Sequence, residues 1–588
     1  MRLAVLVKQI PKFEEIELGE DGRLRRDGIE LELNPYCRRA VSKACELAVE
    51  RPGSRVTVFT LGPPAADDSL REAIAWGLDR EVDICGVHVT DTAFAGSDTL
   101  ATAKALAAAL TRYGPFDLVL TGRNSVDADT GQVGPEVAQL LDLPFLTGVR
   151  YLAVDDIKID ARCEHDDGLL QAEVALPAIL SCAERLCEPT KVEPPGRAAV
   201  PAAHIVRIGA GDLGAGPWGQ AGSPTWVGPV KVIAVDRARH RWPDASLHEQ
   251  VDRALTALVE RGALAGARVA PAATVAPSRP GAPLVMVLAE PNREHGTREL
   301  LGAAAALTGN VLAVTVTEPD PEVLTSWGAD EIVHLVGENV EEDVAGAVGS
   351  LARDEHPWAI LAPSTAWGRE VAARVAVQVD AGMTGDAVEL DVTDGRLIAW
   401  KPAFGGQLVA AIGCDSPVQM ATVRAGVMPK LMPRAGRREF TYETITLEPR
   451  GRVRVLARTR EDDIEVLADA DAVIGIGTGV PPDEYDALEA LRHALGAEFG
   501  ATRKVTDKGW LPRSRQIGIT GRTIAPRLYV SIGASGKFNH TVGVRAAGTV
   551  LAINPDPDAP IWNAADAGIV ADWRAAVPLL VERLARLS

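Results

Sequence analysis

The sequence predicts an α/β protein of three units, each a mostly parallel sheet covered by helices. Three observations predict it. Short apolar runs alternate with amphipathic stretches from the first residues onward. The alternation stops in a Pro/Ala-rich tract at 267 to 283 and then restarts. It starts a third time near residue 470, and a chain of 588 residues exceeds what one core usually serves.

The first unit reads element by element. "RLAVLVKQI" is a buried strand, "RAVSKACELAVE" has helical spacing, and "SRVTVFTLGPP" is a strand ending in a Gly-Pro turn. "SLREAIAWGLD" is a helix, "EVDICGVHV" a strand, "TLATAKALAAALTRYG" a helix and "FDLVLTGRN" a strand. Apolar strands separated by amphipathic helices imply a parallel sheet covered on both faces. Ligand sites on such sheets lie at the carboxyl ends of the strands. That rule sets Gly62-Pro63, the segment Gly122 to Gln132 and the helix start at Asp98 on one rim.

Past residue 190, "EPTKVEPPGRAAVPAAH" reads as an extended arm, and the helix "SLHEQVDRALTALVERG" closes this half. "ARVAPAATVAPSRPGAP" lacks an amphipathic period and reads as a linker. The second unit runs from "LVMVLAE" to "WAILAPST", with further strands in "AFGGQLVAAIGCDSPVQMATVRAGVM". Its layout repeats that of the first unit in pattern, not in identity. The third unit begins at "ADAVIGIGTGV" and ends in the helix "WRAAVPLLVERLARL".

Composition narrows the function. The net charge of −19 argues against nucleic-acid binding, which needs clustered Lys and Arg. No run approaches the ~20 apolar residues that cross a bilayer, and "MRLAVLVKQIPKF" is too short in apolar core for a signal peptide. A cytoplasmic protein without membrane insertion is expected. The 7 cysteines show no C-x-x-C pair, so buried thiols are expected rather than a zinc or dithiol site.

Chemistry concentrates in two places. At 527 to 554, "RLYVSIGASGKFNHTVGVRAAGTVLAIN" places a Gly533-Ala534-Ser535-Gly536 turn between a strand and a short helix. Helix starts leave N–H groups unpaired and carry positive dipole, and glycines admit a phosphate closely. Ser535 there either caps the helix or donates to a phosphate. Many turns carry Gly and Ser for geometry alone. The neighbours add Thr502 and Arg503, then a polar glycine loop with Gln516, Gly518, Thr520 and Gly521.

Over roughly 496 to 572 the motifs G-A-T-R, Q-I-G-x-T-G, L-Y-V-x-I-G-A-S-G, A-I-N-x-D-P and A-D-x-G-I-V-A-D stand close together. This region resembles the α subunit of electron transfer flavoproteins. The resemblance implies FAD in a Rossmann-like domain. Arg503 would lie against the isoalloxazine ring, and Thr520 would donate to N5. Ser535, Asn539 and His540 would contact the pyrophosphate or the pyrimidine edge, with Gly536 in the same turn. Asn554 and Asp572 would hold the adenosine end. Reduction adds negative charge to a flavin, so a guanidinium and a histidine donor would favour it. The plain alternative for His540 is a loop histidine satisfied by its neighbours. Ile519, Arg522, Thr478 and Asn539 depart from the usual family residues.

The other place is "NPYCRRAV", "FAGSDTLATAKALAAAL" and "GRNSVDADTGQVGPEVAQLLDLP". Caps and turns explain these alone. Together they resemble the β subunit of the same family, from "LAVLVKQIP" to about residue 260. The resemblance implies an adenine-nucleotide pocket, AMP or a second FAD, at Asn34, Gly62, Asp98, Thr102, Asp127, Asp129, Thr130, Gln132 and Gly134. Cys37 and Arg38 stand where acidic residues are usual. No anchoring leucine is recognisable in the segment where the family docks on dehydrogenases; Val192 or Pro194 stands near its place.

The whole chain therefore resembles a fusion: a β-like domain at 1–262, a linker at 263–283, an α-type first domain at 284–450 and an FAD-binding domain at 451–588. The implied function is an electron carrier. Its donor would be a flavin-dependent dehydrogenase, and its acceptor a redox protein or quinone reductase. The alternatives are a bifurcating protein that oxidises NADH at a second FAD, and a redox-inactive adenine-nucleotide binder. Transfer would require the flavin domain to swing.

Overall fold

A computed structural model describes residues 1–12, 30–166, 168–232, 237–264, 273–403, 408–429, 431–435, 439–460, 466–467, 470–518 and 521–587. Three large sheets carry three separate groups of core residues. In the first, strand Arg2–Leu6 lies between Arg55–Leu61 and Leu118–Gly122, all parallel. Leu3 stands opposite both Val56 and Leu118 and is fully buried. The chain adds strands on one side of Arg2–Leu6 and then jumps to the other at Leu118–Gly122. Asp98 caps helix Thr99–Tyr113 by accepting from Ala101 N at 2.9 Å.

The second sheet repeats this order around Val285–Ala289, with Val311–Thr315 on one side and Ala359–Pro363 on the other. The third does so around Ala472–Ile476, flanked by Ala497–Ala501 and Leu528–Ile532. All neighbours within these two sheets are parallel. An α/β architecture is what the alternation predicts.

The route of the chain is less simple than the sequence order. Strand Thr225–Val232 pairs with Leu408–Cys414 in a four-stranded antiparallel sheet. His240–Arg241 then extends the third sheet beside Ala567–Ile569. Helix Leu247–Glu260, expected to close the first half, buries Val251, Ala254, Leu255 and Leu258 in the third unit's core beside Trp573 and Val577. Periodicity shows that such a helix has a buried face; it does not show what covers it. In return, Val453–Arg460 pairs antiparallel with Gly168–Ala175 at the edge of the first sheet.

The segment that carries His240–Arg241 and helix Leu247–Glu260, an arm of the first half laid on the third unit, is pinned by charge. Arg237 Nη1 donates to Asp566 Oδ2 at 2.8 Å, and both side chains are buried. Asp566 also accepts from Val550 N at 2.8 Å and pairs with Arg261 at 3.1 Å.

Two local expectations change. The segment expected to be an extended arm forms a short helix, Pro194–Ala198, and a turn at Ala202–His204. Its two prolines occupy the first helical turn, where their missing N–H costs nothing. Of the linker, 265–272 lies outside the described residues, but Val275 is buried in the second unit and its N–H donates to Met432 O. Five of the seven cysteines are buried and all are free thiols. No described helix is long and apolar enough to cross a membrane.

Candidate functional site

The third sheet reverses between Ala472–Ile476 and Leu528–Ile532, and a ligand crevice is expected at their carboxyl ends. Two glycine loops leave there, Gly477–Gly479 and Gly533–Gly536. They pack against each other: a Cβ at Gly477 would stand 2.2 Å from Gly533 O. Gly536 adopts φ +74°, and a Cβ there would stand 2.1 Å from Ile561 Cα. Trp573 Nε1 fixes the first loop through Gly479 O, and Asn554 Nδ2 fixes the second through Ala534 O at 2.9 Å.

Both loops line a cavity of about 1190 Å³, at the top of the range for small-molecule and cofactor sites. Thr502, Arg503, Lys504, Ser535, Lys537, His540 and Asn554 share its wall. The opposite wall comes from the first unit, with Tyr36, Arg38, Arg39, Glu184 and the segment 189–193. Among the described residues, no acceptor takes the backbone N–H groups of Ala534, Ser535, Gly536 and Lys537. Unpaired donors on a glycine turn, with lysine and arginine beside them, are what a pyrophosphate requires. The residues present therefore fit a dinucleotide.

His540 is buried and its two ring nitrogens are committed. Nδ1 lies 3.1 Å from Ile517 O, which only accepts, so Nδ1 carries the proton. Nε2, 2.7 Å from Tyr529 Oη, then accepts from the tyrosine hydroxyl. Burial pushes the imidazole pKa down to about 4, against the opposing pull of the Ile517 carbonyl. A neutral, fully paired imidazole has no N–H left to donate. Both ring nitrogens thus have protein partners here, and His540 stands on the cavity wall.

The remaining expected residues divide. Gln516 is buried away from the cavity and accepts from Thr506 Oγ1 at 2.8 Å. Gly518 and Gly521 shape the loop behind Ile517, where Arg522 N donates to Gln516 O at 2.7 Å. Asp572 caps helix Trp573–Leu584 and is not on the cavity wall. Thr520 and the side chain of Asn539 lie outside the described residues.

In the first unit, Lys8 pairs with Asp127 at 2.8 Å beside the reversal point. Asn34 donates to Asn124 O and accepts from Val126 N, and Asn124 donates to Asp129. This joins Asn34, Asp127 and Asp129 in one loop cluster. A second cluster holds Asp98, which accepts from Thr225 Oγ1 at 2.7 Å, and Gln132, which accepts from Thr99 Oγ1 at 2.8 Å. Glu136 is buried next to it. Burial and the Asp98 charge push its pKa up to about 8. Gly62 ends its strand, Thr102 stands on the first turn of its helix, and Gly134 packs on Phe145. Thr130 lies against Gly385 of the second unit. None of these nine lines the large cavity.

A model of the electron transfer flavoprotein domain matches residues 21–206 and again 285–449, more than half of the chain. The chain belongs to the electron transfer flavoprotein family. A model of the electron transfer flavoprotein FAD-binding domain matches 466–545, which holds both glycine loops. The electron transfer flavoprotein subunit alpha of Thermoanaerobacterium thermosaccharolyticum is 36% identical over 308 residues, 49% of this chain and 93% of its own. Protein FixB of Azorhizobium caulinodans is 37% identical over 324 residues, 49% of this chain and 85% of its own. The putative electron transfer flavoprotein subunit YdiR of Escherichia coli is 30% identical over 295 residues, 49% and 94% respectively.

In this flavoprotein, sequence reasoning missed the wall made by the first unit. Tyr36, Arg38 and Arg39 directly follow Asn34 and Pro35, so their motif was visible. Their destination, the cavity of a unit more than four hundred residues later, was not. Lys504 and Lys537 were legible as cations beside Arg503 and Gly536.

Proposed function

We propose that the chain is an FAD-carrying electron transfer flavoprotein in which 1–262 stands for a β subunit and 284–588 for an α subunit. Residues 263–283 join them. The repeated family match on both halves supports this division. The observation that carries the FAD reading is the row of unpaired N–H groups at Ala534–Lys537 beside Arg503 and Lys504. FAD supplies the redox chemistry when bound. The amides of Ala534–Lys537 would hold the pyrophosphate, Arg503 would supply positive charge to the flavin, and Tyr36, Ile517 and the neutral His540 would exclude water. Thr502, Ser535 and Asn554 complete the wall.

As a carrier, the protein would take electrons from a flavin-dependent dehydrogenase and hand them to another redox protein or quinone reductase. No nucleophile or general base is needed. The first unit would hold a second adenine nucleotide at its reversal point, where Asn34, Asp127 and Asp129 gather, with Asp98, Gln132 and Gly134 on the adjoining rim. That arrangement supports an internal nucleotide site.

The test is a visible spectrum followed by denaturation and counting of released nucleotides. One FAD and one AMP per chain is the expected result. Two FAD would make the first unit redox-active and favour NADH oxidation with bifurcation. A colourless protein that does not reconstitute with FAD would overturn the carrier reading and leave a nucleotide binder.

A further inference from the structure

The second unit repeats the strand order that makes a ligand crevice in the other two. Its reversal point lies between Val285–Ala289 and Ala359–Pro363, above the start of the 13-residue helix Ala366–Gln378. A carboxylate of the first unit stands there. Ala366 N donates to Asp166 Oδ2 at 2.7 Å. Asp166 lies at the tip of the hairpin between Lys158–Glu164 and Gly168–Ala175. A negative charge at a helix start is favourable.

The charges of three arginines, one from each unit, act on this carboxylate: Arg123, Arg522 and Arg293. Burial raises its pKa, but Arg123, the Ala366 N–H, Arg522 and Arg293 outweigh that and bring it to about 2. Arg522 belongs to the third unit. Its Nη2 donates to Asp166 O at 3.3 Å and its Nε to Ser514 O at 2.9 Å. Gly518 N donates to Arg522 O, and Arg522 N to Gln516 O, so Arg522 is tied to the Gln516–Gly518 strip. Ile517 of that strip accepts from His540, and both line the cavity. The cleft between hairpin tip and Arg513-Ser514 is about 20 Å³, room for roughly one water.

We propose that Asp166 is a positioning residue: seated on the second unit's helix, it holds Arg522 and, through Arg522, residues 516–518 and His540 against the flavin cavity. The proposal rests on the FAD reading above. It gives the second unit a role in the site without a ligand of its own. Its crevice takes an internal anion, and the charge of that anion is felt at a cavity built by the other two units.

The experiment compares full-length protein with Asp166→Asn, Arg522→Gln and the double variant. Asparagine keeps an acceptor for Ala366 N and removes only the charge. FAD dissociation is followed by flavin emission, alongside the flavin absorption bands. Asp166→Asn keeps the main-chain acceptor of Arg522 and removes the charge that faces the guanidinium, whereas Arg522→Gln removes the guanidinium itself. Each single variant is expected to bind FAD about tenfold more weakly, with shifted bands. The double variant is expected to lose no more than Arg522→Gln alone, because both changes remove the same carboxylate–guanidinium attraction. Arg522→Lys should restore part of the affinity. Unchanged affinity and bands in both single variants, or fully additive losses, would overturn the proposal while leaving the FAD reading intact. A wild-type protein that takes up no FAD would overturn both.

Discussion

Lowering the pH should loosen the third unit through His540. Its imidazole sits near 4 in the fold against an ordinary 6.5. Between those values the unfolded chain binds a proton that the folded site refuses. Stability is therefore complete above pH 6.5 and declines as pH falls toward 4. The two and a half units of difference correspond to about 3 kcal/mol over the window. Protonation would also set a second N–H against the Tyr529 hydroxyl, which now donates to Nε2. The perturbation is His540→Gln, whose amide can donate to Ile517 O and accept from Tyr529 without titrating. Urea unfolding, followed by tryptophan and flavin emission, is compared at pH 7 and pH 4.5. Carboxylates elsewhere titrate alike in both proteins and cancel in the difference. The wild type should lose about 2–3 kcal/mol more than the variant between the two pH values. An equal loss in both would refute the neutral, doubly bonded imidazole.

Glu136 should behave with the opposite sign. Its pKa of about 8 lies above the unfolded value, so its contribution is present below pH 4.5 and is lost as pH rises to 8. Glu136→Gln should raise stability by about 3 kcal/mol at pH 7 and by little at pH 4.5, read from urea midpoints. Asp566→Ala leaves Arg237 buried without its carboxylate and should cost about 3–5 kcal/mol. It should also open the 223–262 arm to limited proteolysis, and an arm as resistant as in the wild type would contradict the pinning. Gly536→Ala forces a side chain against Ile561 at positive φ. It should release FAD on gel filtration while the first unit keeps its nucleotide.

How much of this was legible depends on distance along the chain. The three sheets were, because a strand-helix alternation is written locally. The Gly533 turn and Arg503 were legible for the same reason. His540 was legible as a site residue, but its role was not. Tyr529 sits on the strand before it, facing a space opened by Gly475, where a Cβ would stand 1.6 Å from the tyrosine oxygen. Only the fold brings that hydroxyl to Nε2. Asp566 stood within a recognised motif and gave no sign of its use, since its partner Arg237 comes from the other half. The helix Leu247–Glu260 was legible as an element and not as a neighbour of the third unit, and the Thr225–Val232 strand was not read from the sequence at all. Burial patterns carry no address.

The same exchange of segments bears on how the flavin unit is held. The third unit receives an arm from the first, and the strand preceding the third unit lies on the first sheet. The arm is held by the buried face of helix Leu247–Glu260 and the buried Arg237–Asp566 pair, whereas Val453–Arg460 is held mainly by its strand pairing, with most of its side chains exposed. The contact that closes the cavity is of another kind. Arg513 Nη2 donates to Glu184 Oε at 2.8 Å and its Nη1 stands 3.3 Å from Glu164, both carboxylates being nearly buried. Arg185 and Asp507 add a looser pair at 3.8 Å, and Arg503 approaches Glu184 at 4.0 Å. Exposed pairs of the looser sort contribute little and are screened by salt. Arg513 between two shielded carboxylates is then a polar tie between the third unit and the first, beside the Arg522 contact to Asp166 O, while the arm and the incoming strand act as tethers. The proposed electron transfer would require that tie to open, because a wall that shields a ring from water also shields it from a partner. The arm and the incoming strand would then keep the flavin unit at high effective concentration for return.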